Sequence, residues 1–282
     1  MTAAVSCRAV ARIDSPPLRQ GLTAQHRARP LVAPGNWAAT DPFLLMMEDW
    51  FPKGVFDRHP HRGFETVTFL LEGGLDHYDN HGNRGRIGAG DALWLTAGRG
   101  LIHNEEPMGG QPVHLLQLWV NLPRARKLVP ARFQELRAAD MPVLEQSGAR
   151  LRVFSGTSGA VTANTLNYTP VTMLEALLEP AARVEHELPA GHNAFVVVLE
   201  GECTIGTPPV SVKAGQVAWL TPSEAVSRVV ITAGEHRLRA VLLSGQPLGE
   251  PVAAAGPFVM NTEAELKESF AQFHAQGERF GL

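Results

Sequence analysis

The feature that most constrains the fold is a motif that occurs twice. Gly90-Asp91-Ala92-Leu93-Trp94-Leu95-Thr96 returns as Gly215-Gln216-Val217-Ala218-Trp219-Leu220-Thr221, and Leu71-Glu72-Gly73 returns ahead of it as Leu199-Glu200-Gly201. Each copy is a Gly turn followed by an apolar run of strand length. Each is preceded by a β-branched and aromatic run, Thr66 to Leu71 in one half and Ala194 to Leu199 in the other. A chain that repeats strand, turn, strand in this way predicts an all-β protein of two jelly-roll-like β-barrels in tandem. At 282 residues with 44% hydrophobic side chains there is enough apolar material for two cores, and the 27 Gly and 21 Pro suit many short strands.

The boundaries follow from composition. Between Pro123 and about Arg150 the chain turns charged and Ala-rich, with Pro130 and Pro142, which predicts an inter-domain connector. The basic cluster Arg124 to Lys127, with Arg132, reads as a solvated part of it. The expected domains are thus residues 1–135, carrying a metal site, and 136–282, lacking one. In the tail, Asn261 or Thr262 is placed to cap a short C-terminal helix with Glu265, Leu266, Phe270 and Phe273 recur at helical spacing, and Gly277 ends the run. That helix is assigned to the second domain, packed on a barrel.

The chemistry lies in two short clusters. His59-Pro60-His61 follows the break at Trp50-Phe51-Pro52-Lys53-Gly54, and His103-Asn104-Glu105 follows Thr96-Ala97-Gly98-Arg99-Gly100. On an extended strand alternate side chains share a face, so each pair presents two ligands together, and two facing pairs make a four-ligand cage. An isolated His-x-His is as often a pair of surface residues. A His-x-Glu at the same period in the same module shifts the balance to a metal, because imidazole and carboxylate are the usual ligands of borderline divalent ions. On a six-coordinate ion these four would leave two positions open. The second half keeps His192 near the place of the His pair and Ser223-Glu224 where a ligand pair would stand, too little for a transition metal. His114, on an apolar strand, reads as a core histidine, and His77, His81, His186, His236 and His274 as surface residues.

Long motifs in order carry a resemblance. His59-Pro-His-Arg-Gly-Phe-Glu-Thr-Val, Leu70-Leu-Glu-Gly-Gly, Gly90-Asp-Ala-Leu-Trp, Thr96-Ala-Gly-Arg-Gly-Leu-Ile-His-Asn-Glu, Leu116-Gln-Leu-Trp-Val-Asn-Leu-Pro and Gly256-Pro-Phe-Val-Met-Asn-Thr resemble the pirin family of the cupin superfamily. The resemblance implies two cupin domains and metal ligands at His59, His61, His103 and Glu105. The broader cupin pattern would use Glu65, which stays the runner-up as ligand or as a residue supporting an imidazole. It implies one divalent transition metal, with Fe(II) favoured and Mn, Ni, Co, Cu or Zn compatible. It further implies a quercetinase (flavonol 2,4-dioxygenase) that opens quercetin-type flavonols with O₂ and releases CO. There Glu105 would be ligand and catalytic proton acceptor in turn, and Phe51, Phe56 and Trp119 would stack the flat substrate. The alternative it carries is a non-enzymatic, iron-dependent, redox-sensing regulator of the transcription co-regulator type that binds other proteins, with Arg62, Arg84, Arg86 and Arg99 as candidate surface charges. A monomer is implied by analogy with other two-barrel chains.

Charge and cysteine content exclude other classes. A formal net charge of −3 offers no electrostatic basis for direct nucleic-acid binding. Cys7 and Cys203 cannot make a disulfide framework, which favours a reducing compartment. The longest strong apolar run, Ala194 to Leu199, falls far short of the ~18 residues of a membrane span, and Arg8 and Arg12 interrupt the amino-terminal apolar residues that an export signal would need. A cytoplasmic protein with no membrane contact is expected.

Overall fold

The computed structural model describes residues 5–282. The chain is all-β apart from short helical pieces and one C-terminal helix. It divides into two compact units whose boundaries differ from the expected ones. One contains Pro17–Ala138 with Leu248–Leu282, the other the residues up to Pro16 with Ala139–Pro247.

The first unit has a seven-stranded sheet in the order Arg132–Leu136, Ala92–Thr96, Phe64–Glu72, Val113–Asn121, Phe43–Phe51, Arg27–Val32, Arg19–Gln20. Its four-stranded sheet runs His59–His61, Leu101–Pro107, Gly74–Asp79, Arg84–Gly88. Leu75 and Ile87 from the smaller sheet pack with Phe51, Leu70, Leu93, Val113 and Leu115 from the larger, so the two inner faces share a core. Phe64–Glu72 is buried at every residue but Glu72, as a central strand must be, yet it carries Glu65, Thr66 and Thr68. Those buried polar side chains need hydrogen-bond partners inside the barrel.

The second unit repeats the plan with a seven-stranded sheet from Val143–Gln146 to Val10–Asp14, and a five-stranded one built on Ser227–Ala233. Its interior is apolar, with Leu174, Ala176, Val196, Val198, Ala240 and Leu242 among the residues that fill it. The repeated sequence motif is a repeated structure. Gly73 and Gly201 both turn at positive φ, 88° and 79°, and Trp94 and Trp219 sit on equivalent strands. A Cβ on Gly201 would lie 2.4 Å from the Arg237 carbonyl oxygen, so only glycine fits this turn.

Three expectations are corrected. The stretch from Pro123 to Arg150 is not a featureless connector: Arg132–Leu136 pairs with Ala92–Thr96, and Val143–Gln146 with Ala149–Ser155, so two edge strands sit where composition suggested a linker. The amino-terminal strand belongs with the second barrel, because Val10–Asp14 extends its sheet beside Val217–Leu220, where the Trp219 indole donates to Asp14 at 3.0 Å. The helix Glu263–Gln276 belongs with the first, because Leu266, Phe270 and Phe273 pack on Ile102, Phe258 and Phe280. Its cap is Thr262, whose hydroxyl accepts from the Glu265 amide at 3.2 Å while Glu265 accepts from the Thr262 amide at 2.9 Å, and Gly277 ends it.

Candidate metal centre

Strand register brings the predicted residues together. His59–His61 pairs antiparallel with Leu101–Pro107, placing His59 opposite His103. The three imidazoles form a triangle with ring centroids 4.6–4.9 Å apart. The His59 Nδ1 lies 2.8 Å from the Asp57 carbonyl oxygen, which can only accept, so that nitrogen carries a proton and Nε2 is the nitrogen left to face the triangle. It points at the His61 Nε2, 3.0 Å away.

His61 and His103 are 4% and 2% exposed, and the His61 Nδ1 and both His103 nitrogens have no hydrogen-bond partner. Burial pushes both imidazoles well below their ordinary pKa, and the neighbouring histidines push in the same direction. At neutral pH they are neutral, and His103 keeps both ring nitrogens buried and unpartnered, a costly state unless an ion completes it. His59, His61 and His103 offer ligand atoms within 4.8 Å of one another, and so do His77, His103 and Glu105. The residue set fits one divalent transition metal.

Glu105 is two residues from His103 on the same face, and its carboxylate lies 3.8 Å from the His103 Nδ1. It lies 3.7 Å from His77 and accepts from the Thr68 hydroxyl at 2.9 Å. Glu65 is elsewhere. It accepts from Thr96 at 2.7 Å and from the Trp94 indole at 3.2 Å, and pairs with Arg132, so its carboxylate is held by the strand pair behind the site. His114 stacks on Trp50 and reaches Glu48 at 3.0 Å, away from the triad.

His77, read from sequence as a surface residue, is buried at 2% exposure and faces Glu105 in register. Burial alone would lower its pKa, but Asp79 and Glu105 outweigh it and raise the imidazole to about 9. The signal was present in the alternation Leu75, His77, Asp79, which puts His77 on the face of a buried leucine. His186 is also buried, at 4%, bonded to Ser158 and pushed down to about 4 by its surroundings. Among the described residues the second barrel assembles no cluster of metal-ligating side chains.

The triad opens onto a cavity of about 370 Å³ whose lining includes Phe51, Phe56 and Trp119, the aromatic residues expected at the mouth, with Leu45, Met47 and Leu115. Trp119 packs on Phe64 and presents an edge to His61 at 5.3 Å. His26 and Asp49, joined at 2.9 Å, form a polar pin in the wall that the sequence did not suggest. The His26 Nδ1 accepts from the Leu22 amide at 3.0 Å, so the Nε2 proton is committed to Asp49.

Comparison with known proteins places this architecture. The family model described as Pirin matches residues 29–120, and that of the Pirin C-terminal cupin domain matches residues 173–281. The chain belongs to the pirin family. Pirin-like protein 2 of Arabidopsis thaliana is 40% identical over 240 residues, covering 83% of this chain and 74% of that protein. Among solved structures, GK1651 from Geobacillus kaustophilus superposes with a TM-score of 0.86 at 43% identity, over 88% of this chain and 100% of that one. A quercetin 2,3-dioxygenase from Acinetobacter baumannii superposes at 0.84 with 29% identity, over 98% and 100%. The pirin barrels are cupin barrels, and no helix among the described residues is long and apolar enough to cross a membrane.

Proposed function

We propose that this pirin is a quercetinase (flavonol 2,4-dioxygenase) in which His59, His61, His103 and Glu105 hold one divalent transition metal, Fe(II) in the first instance. The observation that carries this reading is the cavity. A largely apolar chamber of about 370 Å³, within the usual range for small-molecule sites, ends on three imidazoles and a carboxylate. The likeness to the Acinetobacter baumannii quercetin 2,3-dioxygenase supports the substrate class.

When bound, a divalent metal supplies Lewis acidity at the closed end of the chamber. The chain does the rest. Phe51, Phe56 and Trp119 present ring faces and edges that hold a flat aromatic substrate, and Leu45, Met47 and Leu115 keep water from it. Glu105, on the same cavity, is the group able to take the proton of the flavonol 3-hydroxyl. His26, with both nitrogens committed, stiffens the wall and is not available to a ligand.

The regulator reading draws less support. Of its candidate charges, Arg84 and Arg86 are exposed, Arg86 beside Asp76 at 2.8 Å, whereas Arg62 is 4% exposed with its guanidinium over Phe280 at 4.4 Å and Arg99 donates to the Gly281 carbonyl at 2.8 Å. The decisive experiment is anaerobic loading with Fe(II), then oxygen uptake and loss of flavonol absorbance with quercetin, for wild type, His61→Ala and Glu105→Ala. Turnover by wild type and none by the folded variants is expected. An iron-loaded wild type that consumes no oxygen with any flavonol would sink the enzyme reading and favour a protein partner.

A further inference from the structure

The Glu105 carboxylate lies 3.8 Å from the His103 Nδ1, at one corner of the His59–His61–His103 triangle, and its hydrogen bond is to Thr68. The Thr68 hydroxyl lies 3.1 and 2.9 Å from its two oxygens, and His77 stands 3.7 Å from Oε1. Thr68 is 1% exposed and sits opposite Gln117 in register, with its hydroxyl 3.0 Å from the Gln117 Oε1, while the Gln117 Nε2 donates to the Thr66 hydroxyl. A hydroxyl has one proton to donate. In the structure the Gln117 Oε1 faces the Thr68 hydroxyl and Nε2 donates to Thr66, so the one Thr68 proton has two acceptors in reach; turned end for end, with its shape unchanged, the amide takes the Thr66 proton on Oε1, donates from its NH₂ to Thr68 and leaves the Thr68 proton for Glu105. The chain of bonds thus aims a single donor at the carboxylate.

The other barrel shows what this position becomes where no imidazole cluster exists. Reading back without a gap from Leu199-Glu200-Gly201, the residue matching Thr68 is Val196, and it pairs with Leu242 in the register that joins Thr68 to Gln117. Both are buried in the apolar core. A strand there has no structural need of the Thr–Gln pair.

We propose that Thr68, oriented by Gln117, is a positioning residue that forms a berth for the Glu105 carboxylate, competing with the metal for it. This rests on the metal-site reading given above. Glu105 then has two places: against the ion, or against Thr68 and beside His77. The berth would keep the carboxylate within the cavity whenever it is not held by an ion.

The competition has a sign that a supporting role does not. Thr68→Val keeps the β-branched shape and removes the donor, so it destabilises only the berthed state. Equilibrium affinity for Co(II), read by competition with a chromophoric chelator on the apo-protein, needs no turnover. Thr68→Val should bind Co(II) about tenfold or more tightly than wild type, the size of a lost hydrogen bond to a charged group. Thr68→Ser, which restores the hydroxyl, should match wild type. In a Glu105→Ala background Thr68→Val should change nothing, because the berth has lost its occupant. Weaker or unchanged Co(II) binding by Thr68→Val, or an effect that persists without Glu105, would overturn the berth, and Thr68→Ala repeats the test should the valine variant not fold. A wild type that holds no Co(II) overturns the metal-site reading and the berth with it.

Discussion

Replacing Lys127 with methionine should destabilise the first unit, and the amount can be worked from three distances. Lys127 is 2% exposed, and its ammonium donates to the carbonyl oxygens of Gly63 and Val259 at 2.8 and 3.0 Å and to the Asn121 Oδ1 at 2.5 Å. It joins the turn after the His pair, the end of a central strand and the C-terminal segment. Methionine fills the space but donates nothing, so three buried oxygens lose this donor at about 1–3 kcal/mol each. Against this stands the desolvation of the ammonium, which burial expresses by lowering its pKa to about 7 despite the attraction of Glu250, Glu265 and Asp41. Taking roughly half of the gross loss as net gives about 3 kcal/mol, or a fall of roughly 6–12 °C in Tm. The folded chain releases this proton near pH 7 and the unfolded chain only near its ordinary value, 10.5, so between these the unfolded state binds more protons. Wild type should therefore gain on the methionine variant as pH rises through that window. Calorimetry of the two proteins from pH 6 to 10 measures both effects. A methionine variant that melts at or above the wild-type temperature would show that the three bonds do not offset the buried charge, and the reasoning would fail.

Gly63→Ala should cost at least 3 kcal/mol by denaturant titration, since Gly63 lies at φ 86° and an added Cβ would meet the Val259 oxygen at 1.9 Å; a wild-type midpoint would refute the contact. His186, pushed down to about 4 in the fold against 6.5 when free, binds its proton later than the unfolded chain does, so stability is lost as pH falls from 6.5 to 4, by roughly 3 kcal/mol in all. His186→Gln should flatten that loss, and an unchanged acid limb in calorimetry would count against it. Chelation of divalent ions should lower the Tm of the metal-loaded wild type but leave His103→Ala unmoved, because an ion bound only by the folded chain stabilises it by mass action. Equal shifts in the two proteins would place the ion elsewhere.

The sequence announced the strand-turn repeat, the His and Glu pairs and the capped helix because each is a local pattern: period-two alternation, a Gly turn, a Thr-x-x-Glu box. What it hid depends on register and on long-range pairing. Lys127 looks like one member of a basic, solvated run until the fold closes Gly63, Asn121 and Val259 around it. His77 looks exposed until pairing sets it opposite Glu105. The terminal segments were given to their neighbours in sequence, whereas Val10–Asp14 and Glu263–Gln276 each belong with the other half, a pairing that composition does not encode.

The two barrels show how one strand plan is spent on chemistry or on cohesion. Extending the same gapless match, His59 and His61 correspond to Glu187 and Pro189, and Phe64 to His192, so His192 stands in place of an aromatic core residue and not of a ligand. Gly63 and Gly191 keep the same positive φ, 86° and 72°, so the backbone that would present a ligand pair persists without the pair. The second interior is filled with Val196, Leu242 and their neighbours, each worth about 1.5–3 kcal/mol when buried. The first gives up that gain at Thr68, His77, His103 and Glu105, where buried polar groups cost free energy unless each is bonded or bound to an ion. That asymmetry argues that the first interior is maintained for its site: a barrel needing only stability has, in the same chain, an apolar solution at the same register.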